Sequence, residues 1–160
     1  MNGVSEKRFA PNGNVTRAML VTVLYRNEGE PATNRSIPFA DVDMGDYFAD
    51  AVVWAKQNGI VNGVTEEKFA PDDNITREQI AAIIHRYAKT KGYDVSVGEN
   101  TNILSYDDFN QISEYAIEDF QYAVGSGLIK GKTESTLNPE DFATRAEFAA
   151  ILNRFVEANK

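Results

Sequence analysis

The sequence predicts an all-α protein built from helix–loop–helix repeats, the first of which lacks its front half. Three observations predict it. The chain matches itself at an offset of sixty residues, and again at a further offset of sixty-eight. In each copy an apolar stripe with helical spacing follows a Thr-Arg pair. Glycines stand where the helical segments should end.

The repeated block is NGVSEKRFAPNGNVTRAMLVTVLYR from Asn2, NGVTEEKFAPDDNITREQIAAIIHR from Asn62 and KGKTESTLNPEDFATRAEFAAILNR from Lys130. Gly3, Gly63 and Gly131 superpose, as do Phe9, Phe69 and Leu137, and Pro11, Pro71 and Pro139. No gap is needed within the block. Such a period means stacked or ring-like units sharing one core.

The elements follow in order. The first copy supplies only a second helix, with Leu20, Val23 and Leu24 on its apolar face. A connector at 27–38 has no helical period. The second copy opens with FADVDMGDYFADAVVWAKQNGIVNG from Phe39, read as an extended or turn segment and an amphipathic helix capped by Asp46 and ended by Gly59. Its second helix carries Ile80, Ile83, Ile84 and Tyr87. A long connector at 89–102 is expected to pack along the surface. In the third copy Ser113 is the expected cap, Ile117, Phe120 and Val124 the helical face, and Gly125 or Gly127 the end. The last helix bears Phe148, Ile151, Leu152 and Phe155. The division is 1–30 for the partial repeat, 36–91 and 103–160 for the complete ones, all in one compact domain.

Thr16, Thr76 and Thr144 read as N-caps. Gln79 and Glu147 complete capping boxes, whereas Met19 cannot. That puts Arg17, Arg77 and Arg145 at the first helical position, where a cation opposes the macrodipole by about 0.3–1 kcal/mol. One explanation is a threefold anion cradle, in which open N–H groups and a bidentate guanidinium grip a carboxylate. The other is an ion pair within the chain, for instance with Asp43 or Asp46.

Composition narrows the classes. A net charge of −8 argues against nucleic acid or anionic lipid as a partner. Cysteine is absent, so disulfide and thiolate sites are excluded. No apolar run approaches the roughly 20 residues of a membrane span, so no membrane insertion is expected. Met1 is followed by NGVSEKRF, which lacks a basic start and an apolar core, so no signal peptide is read there.

The tetrapeptides TRAM (Thr16–Met19), TREQ (Thr76–Gln79) and TRAE (Thr144–Glu147) stand with FADV at Phe39, WAKQNGIVNG at Trp54 and the Phe69–Thr76 segment. Together they resemble an S-layer homology (SLH) domain array, whose hallmark is a TRAE-type tetrapeptide opening the second helix of each repeat. The resemblance covers essentially the whole chain. It implies a pseudo-threefold bundle whose inter-repeat grooves bind secondary cell wall polysaccharide through terminal pyruvylated N-acetylmannosamine, placing the protein in the extracellular bacterial cell wall or S-layer. It implies no cofactor. By position, Arg77 and Arg145 would meet the ketal carboxylate, with Arg17 as a third. Gly63 and Gly131 would let the loop backbone approach the sugar. Trp54, with Tyr122 as its equivalent, would stack on a sugar face, the alternative being core packing. Asp41 and Asp108 would accept sugar hydroxyls, the alternative being a turn or capping role. The missing first helix implies an incomplete groove, or a second copy or partner chain that supplies it.

Rival classes fare worse. His85 is the single histidine and no nucleophile or phosphate-loop motif accompanies it, so an enzyme is not expected. DVDMGDYFAD fails as a calcium loop, because Gly45, Asp46 and Val52 stand at its fifth, sixth and twelfth places. A helical-repeat protein–protein scaffold is the remaining alternative. It predicts exposed apolar patches instead of recurrent arginines.

Overall fold

A computed structural model describes residues 12–159. Among these residues there are five α-helices: α1 (Arg17–Asn27), α2 (Ala49–Gln57), α3 (Arg77–Thr90), α4 (Ile117–Gly125) and α5 (Arg145–Ala158). Short 3-10 turns occupy Ser96–Asn100, Phe109–Gln111 and Glu114–Ala116. The strand-like pairings among the described residues are three isolated antiparallel bridges, Thr16 with Asn74, Thr76 with Phe142 and Asn14 with Thr144. The all-α class holds. Asn2, Gly3, Phe9 and Pro11 of the partial repeat lie outside the described residues.

The chain divides into two compact units, Val15–Asn74 and Ile75–Lys160, the second including the segment that ends at Asn14. In the first, α1 packs against α2 around Leu20, Val21, Leu24, Val52 and Ile60. In the second, α3 packs against α4 around Ile80, Ile84, Tyr87 and Phe120. Packing is therefore offset from the sequence repeats, because each of these second helices lies on the first helix of the following repeat.

Helix ends behave as their residues dictate. Gly29, Gly59, Gly92 and Gly127 have φ between +69° and +80°. After α4, Leu128 N donates to Ala123 O at 2.9 Å and Gly127 N to Val124 O at 3.0 Å, a Schellman closure. Gly125 is therefore the last helical residue and the left-handed Gly127 closes the end. Thr16, Thr76 and Thr144 each accept the amide three residues on, as expected of N-caps.

Three expectations need correction. Asp46 does not cap α2; it accepts the Asp43 amide at 2.8 Å in a preceding turn, and the helix starts at Ala49. Ser113 opens a 3-10 turn and directs its hydroxyl to Glu78 Oε1 at 2.7 Å, so α4 begins at Ile117. The inward face of α4 carries Asp119, Phe120, Tyr122 and Ala123, while Ile117 is 39% exposed. The connector at 89–102 does pack down: its 3-10 turn lies on α4, and a Cβ at Gly98 would sit 3.0 Å from the Tyr122 amide.

Candidate functional site

The repeated arginines are buried, with 7%, 5% and 4% of Arg17, Arg77 and Arg145 exposed. Arg17 donates from Nε to Phe69 O at 2.8 Å and from Nη2 to Asn62 O at 2.9 Å. Its guanidinium carbon also lies 4.8 Å from the centre of the Phe69 ring. Arg77 does the same in its own unit, to Leu137 O at 2.8 Å and Lys130 O at 2.7 Å. Each fork thus joins the two stems of a loop in the next repeat. Asn62 and Lys130, like Phe69 and Leu137, are equivalent positions. The corresponding stems for Arg145, Asn2 and Phe9, lie outside the described residues.

The helix amides expected to hold an anion are already engaged. Arg17 N and Ala18 N donate to Asp73 O and Pro71 O, and Arg77 N and Glu78 N to Asp141 O and Pro139 O, all at 2.9–3.0 Å. Arg145 N reaches Gly13 O at 2.8 Å. The open N–H cradle is therefore not formed at these amides, because the loop carbonyls reach them first.

Asp41 and Asp108 work on the same loops from the other side. Asp41 accepts Phe69 N and Ala70 N at 2.9 and 2.8 Å; Asp108 accepts Leu137 N and Asn138 N at the same distances. Ala70 and Asn138 have φ of 59° and 51°, and the carboxylates satisfy the amides that this turn directs inward. At Gly63 a Cβ would run into the carbonyls of Thr65 and Lys68, and at Gly131 into those of Thr133 and Thr136. The loop's own closure demands glycine at both places.

Beside Arg77 opens a cavity of about 250 Å³, lined by Arg77, Lys130, Gly131, Lys132, Glu147 and Arg154 over a floor that includes Ile129 and Ile151. Lys132 Nζ donates to Glu147 Oε1 at 2.7 Å, and Arg77 Nη1 stands 3.6 Å from Glu147 Oε2, an ion pair too long for a hydrogen bond. Burial pushes the Arg77 guanidinium below its ordinary pKa, with Glu147 and then Asp141 opposing the shift. Arginine remains charged throughout. The lining thus joins the Arg77 and Lys132 cations, the Glu147 carboxylate and the Gly131 backbone to Ile129 and Ile151, and Arg154, also in the lining, donates from Nη1 to Leu128 O at 3.1 Å.

A family model for the S-layer homology domain matches residues 1–18, 38–81 and 105–149. The chain belongs to the SLH domain family. It is 32% identical over 160 residues to "Exoglucanase XynX" of Acetivibrio thermocellus, covering 98% of this chain and 14% of that protein. It is 27% identical over 160 residues to "Surface-layer 125 kDa protein" of Lysinibacillus sphaericus (98% of this chain, 13% of the relative). To "Cellulosome-anchoring protein" of Acetivibrio thermocellus it is 28% identical over 153 residues (93% and 33%). The SLH chain thus spans at most a third of these three relatives.

Of the residues expected at the SLH site, Arg77 and Gly131 line the cavity. Trp54 is 8% exposed and packs 5.7 Å from the Tyr25 ring; Tyr122 is 3% exposed and stacks on His85 at 4.7 Å. Both rings make packing contacts within the chain, the alternative reading for Trp54. His85 itself is buried and 2.7 Å from Asp119. Lys132, Glu147 and Arg154 were not singled out as site residues. The available signal was charge: where the third repeat has Lys132 and Glu147, the second has Val64 and Gln79.

Proposed function

We propose that this SLH chain is a non-enzymatic anchoring module that holds an acidic cell-wall polysaccharide at the bacterial surface. The observation that carries the reading is the cavity beside Arg77, whose lining combines Lys130, Lys132 and Arg154 with Ile129 and Ile151. A pyruvyl ketal offers what this lining asks for, a carboxylate for the cations and a methyl group for the isoleucines. Pyruvylated N-acetylmannosamine, the sugar that the SLH resemblance implies, is the ligand we assign. Relatives named as surface-layer and cellulosome-anchoring proteins support a surface role. The enzyme-named relative shares only 14% of its length with this chain, so its name does not carry catalysis over. Among the described residues no helix is long and apolar enough to cross a membrane.

The test is sedimentation with purified cell wall. Native wall should retain the protein and depyruvylated wall should release it; equal retention by both overturns the assignment. One observation favours a second reading, a protein-binding scaffold. A cavity of about 430 Å³ is lined by Ile103, Leu104, Phe109 and Ile117, of which Leu104 is 65% exposed. Under that reading Leu104→Glu would abolish partner capture and leave wall binding intact.

A further inference from the structure

Glu147 behaves unlike its equivalent in the middle repeat. At α3 the capping box is complete: Thr76 Oγ1 accepts Gln79 N, and Gln79 Oε1 accepts Thr76 N at 3.0 Å. At α5 the capping box expected of Glu147 is not completed: only its first half forms, with Thr144 Oγ1 accepting Glu147 N at 3.1 Å. The Glu147 side chain has left the helix end and entered the cavity. There Oε1 takes Lys132 at 2.7 Å, while Oε2 is buried without a hydrogen bond, 3.6 Å from Arg77. A buried carboxylate oxygen left unsatisfied is costly and calls for an explanation.

We propose that Glu147 is an internal stand-in for the ligand's acid group, occupying the cations that an incoming carboxylate needs. The inference rests on reading the cavity as an acid site, and it adds how that site is regulated. Two carboxylates cannot share Lys132 and Arg77 without repelling each other, so binding requires Glu147 to be displaced. The displaced side chain has somewhere to go, because the Thr144 amide offers the capping bond that Gln79 makes to Thr76 in the middle repeat. The unbonded Oε2 makes the internal pairing incomplete. A ligand acid that satisfies both cations therefore replaces it, whereas a chance anion reaching only one does not. The cavity selects by competition as well as by shape.

The variant is Glu147→Gln, which puts at α5 the residue that already stands at this position in α3, so the fold has a precedent for it. Wild type and variant are titrated with sodium acetate, followed by the amide NMR shifts of Gly131 and Lys132, and separately with the pyruvyl ketal of methyl N-acetylmannosaminide. Thermal melts establish that both proteins are folded. The variant should take up acetate on the order of tenfold more tightly, the scale of one charge-assisted hydrogen bond that no longer has to be broken. Equal or weaker acetate binding by the variant overturns the role assigned to Glu147. If neither protein binds the ketal, the polysaccharide reading fails, and the acetate titration still decides the competition.

Discussion

Arg77 and Asp108 hold opposite sides of one residue: Arg77 Nε donates to the Leu137 carbonyl at 2.8 Å, and Asp108 Oδ1 accepts the Leu137 amide at 2.9 Å. Arg17 and Asp41 treat Phe69 in the same way. A loop without regular structure leaves its backbone groups unpaired unless side chains supply partners, and these two supply them. The cation at the helix start is therefore explained first by the loop it pins.

Arg77→Lys should destabilise the protein by about 2–4 kcal/mol, since an ammonium on a flexible stem does not reproduce the fork that spans Leu137 O and Lys130 O. Chemical denaturation measures this. A change below about 0.5 kcal/mol, the range of ordinary surface substitutions, would return the arginine to a purely ligand-binding role.

Gly131→Ala should cost about 1–3 kcal/mol, because the new Cβ meets the Thr133 and Thr136 carbonyls. Gly45 provides the control: nothing lies within 4 Å of a Cβ there, so Gly45→Ala should be neutral or slightly stabilising. Thermal melts of the two variants that shift alike would refute the steric account.

Burial pushes the Asp41 carboxyl up, but the amides of Phe69 and Ala70 outweigh it and hold the group below its ordinary 3.8. A depressed folded value means that the unfolded chain takes the proton first as pH falls. The stabilisation is full above that ordinary value and is lost on passing below it through the folded value. Asp41→Asn should therefore flatten the acid side of the stability profile, read from Trp54 fluorescence in the same unit. Parallel profiles for wild type and variant would contradict the assignment.

Polymer binding should fall only modestly between low and moderate salt, because a chain of net charge −8 has no long-range attraction for an acidic polymer and relies on a local cavity. A steep loss measured by titration across that range would point to a diffuse polycationic surface instead.

What the sequence made legible was local or periodic. The Ile80–Ile84–Tyr87 stripe, the threonine caps and the glycine endings follow from residue chemistry within a few positions, and all are present. What it hid was non-local. Arg77 is 60 residues from Leu137, and only the offset packing of helices across repeats brings them together. The same packing brings Asp141 O and Pro139 O onto the amides of Arg77 and Glu78, which the sequence alone leaves open to an anion. The α4 face was misjudged for a related reason: Ile117 fits a helical stripe, but the 3-10 turn at Glu114–Ala116 changes where the helix begins. Lys132 and Glu147 are hidden because a lysine in a loop and a glutamate at a capping-box position each have an ordinary explanation alone.

The most direct measurement is calorimetric titration of a pyruvylated disaccharide into wild type and Lys132→Ala. Lys132 makes one partly exposed ion pair, worth at most about 1 kcal/mol, so the variant should melt close to wild type. The account predicts saturable binding to wild type and a loss of about tenfold or more in the variant, as for one charged hydrogen bond. Equal affinity in the two proteins, or no binding to either, would contradict it.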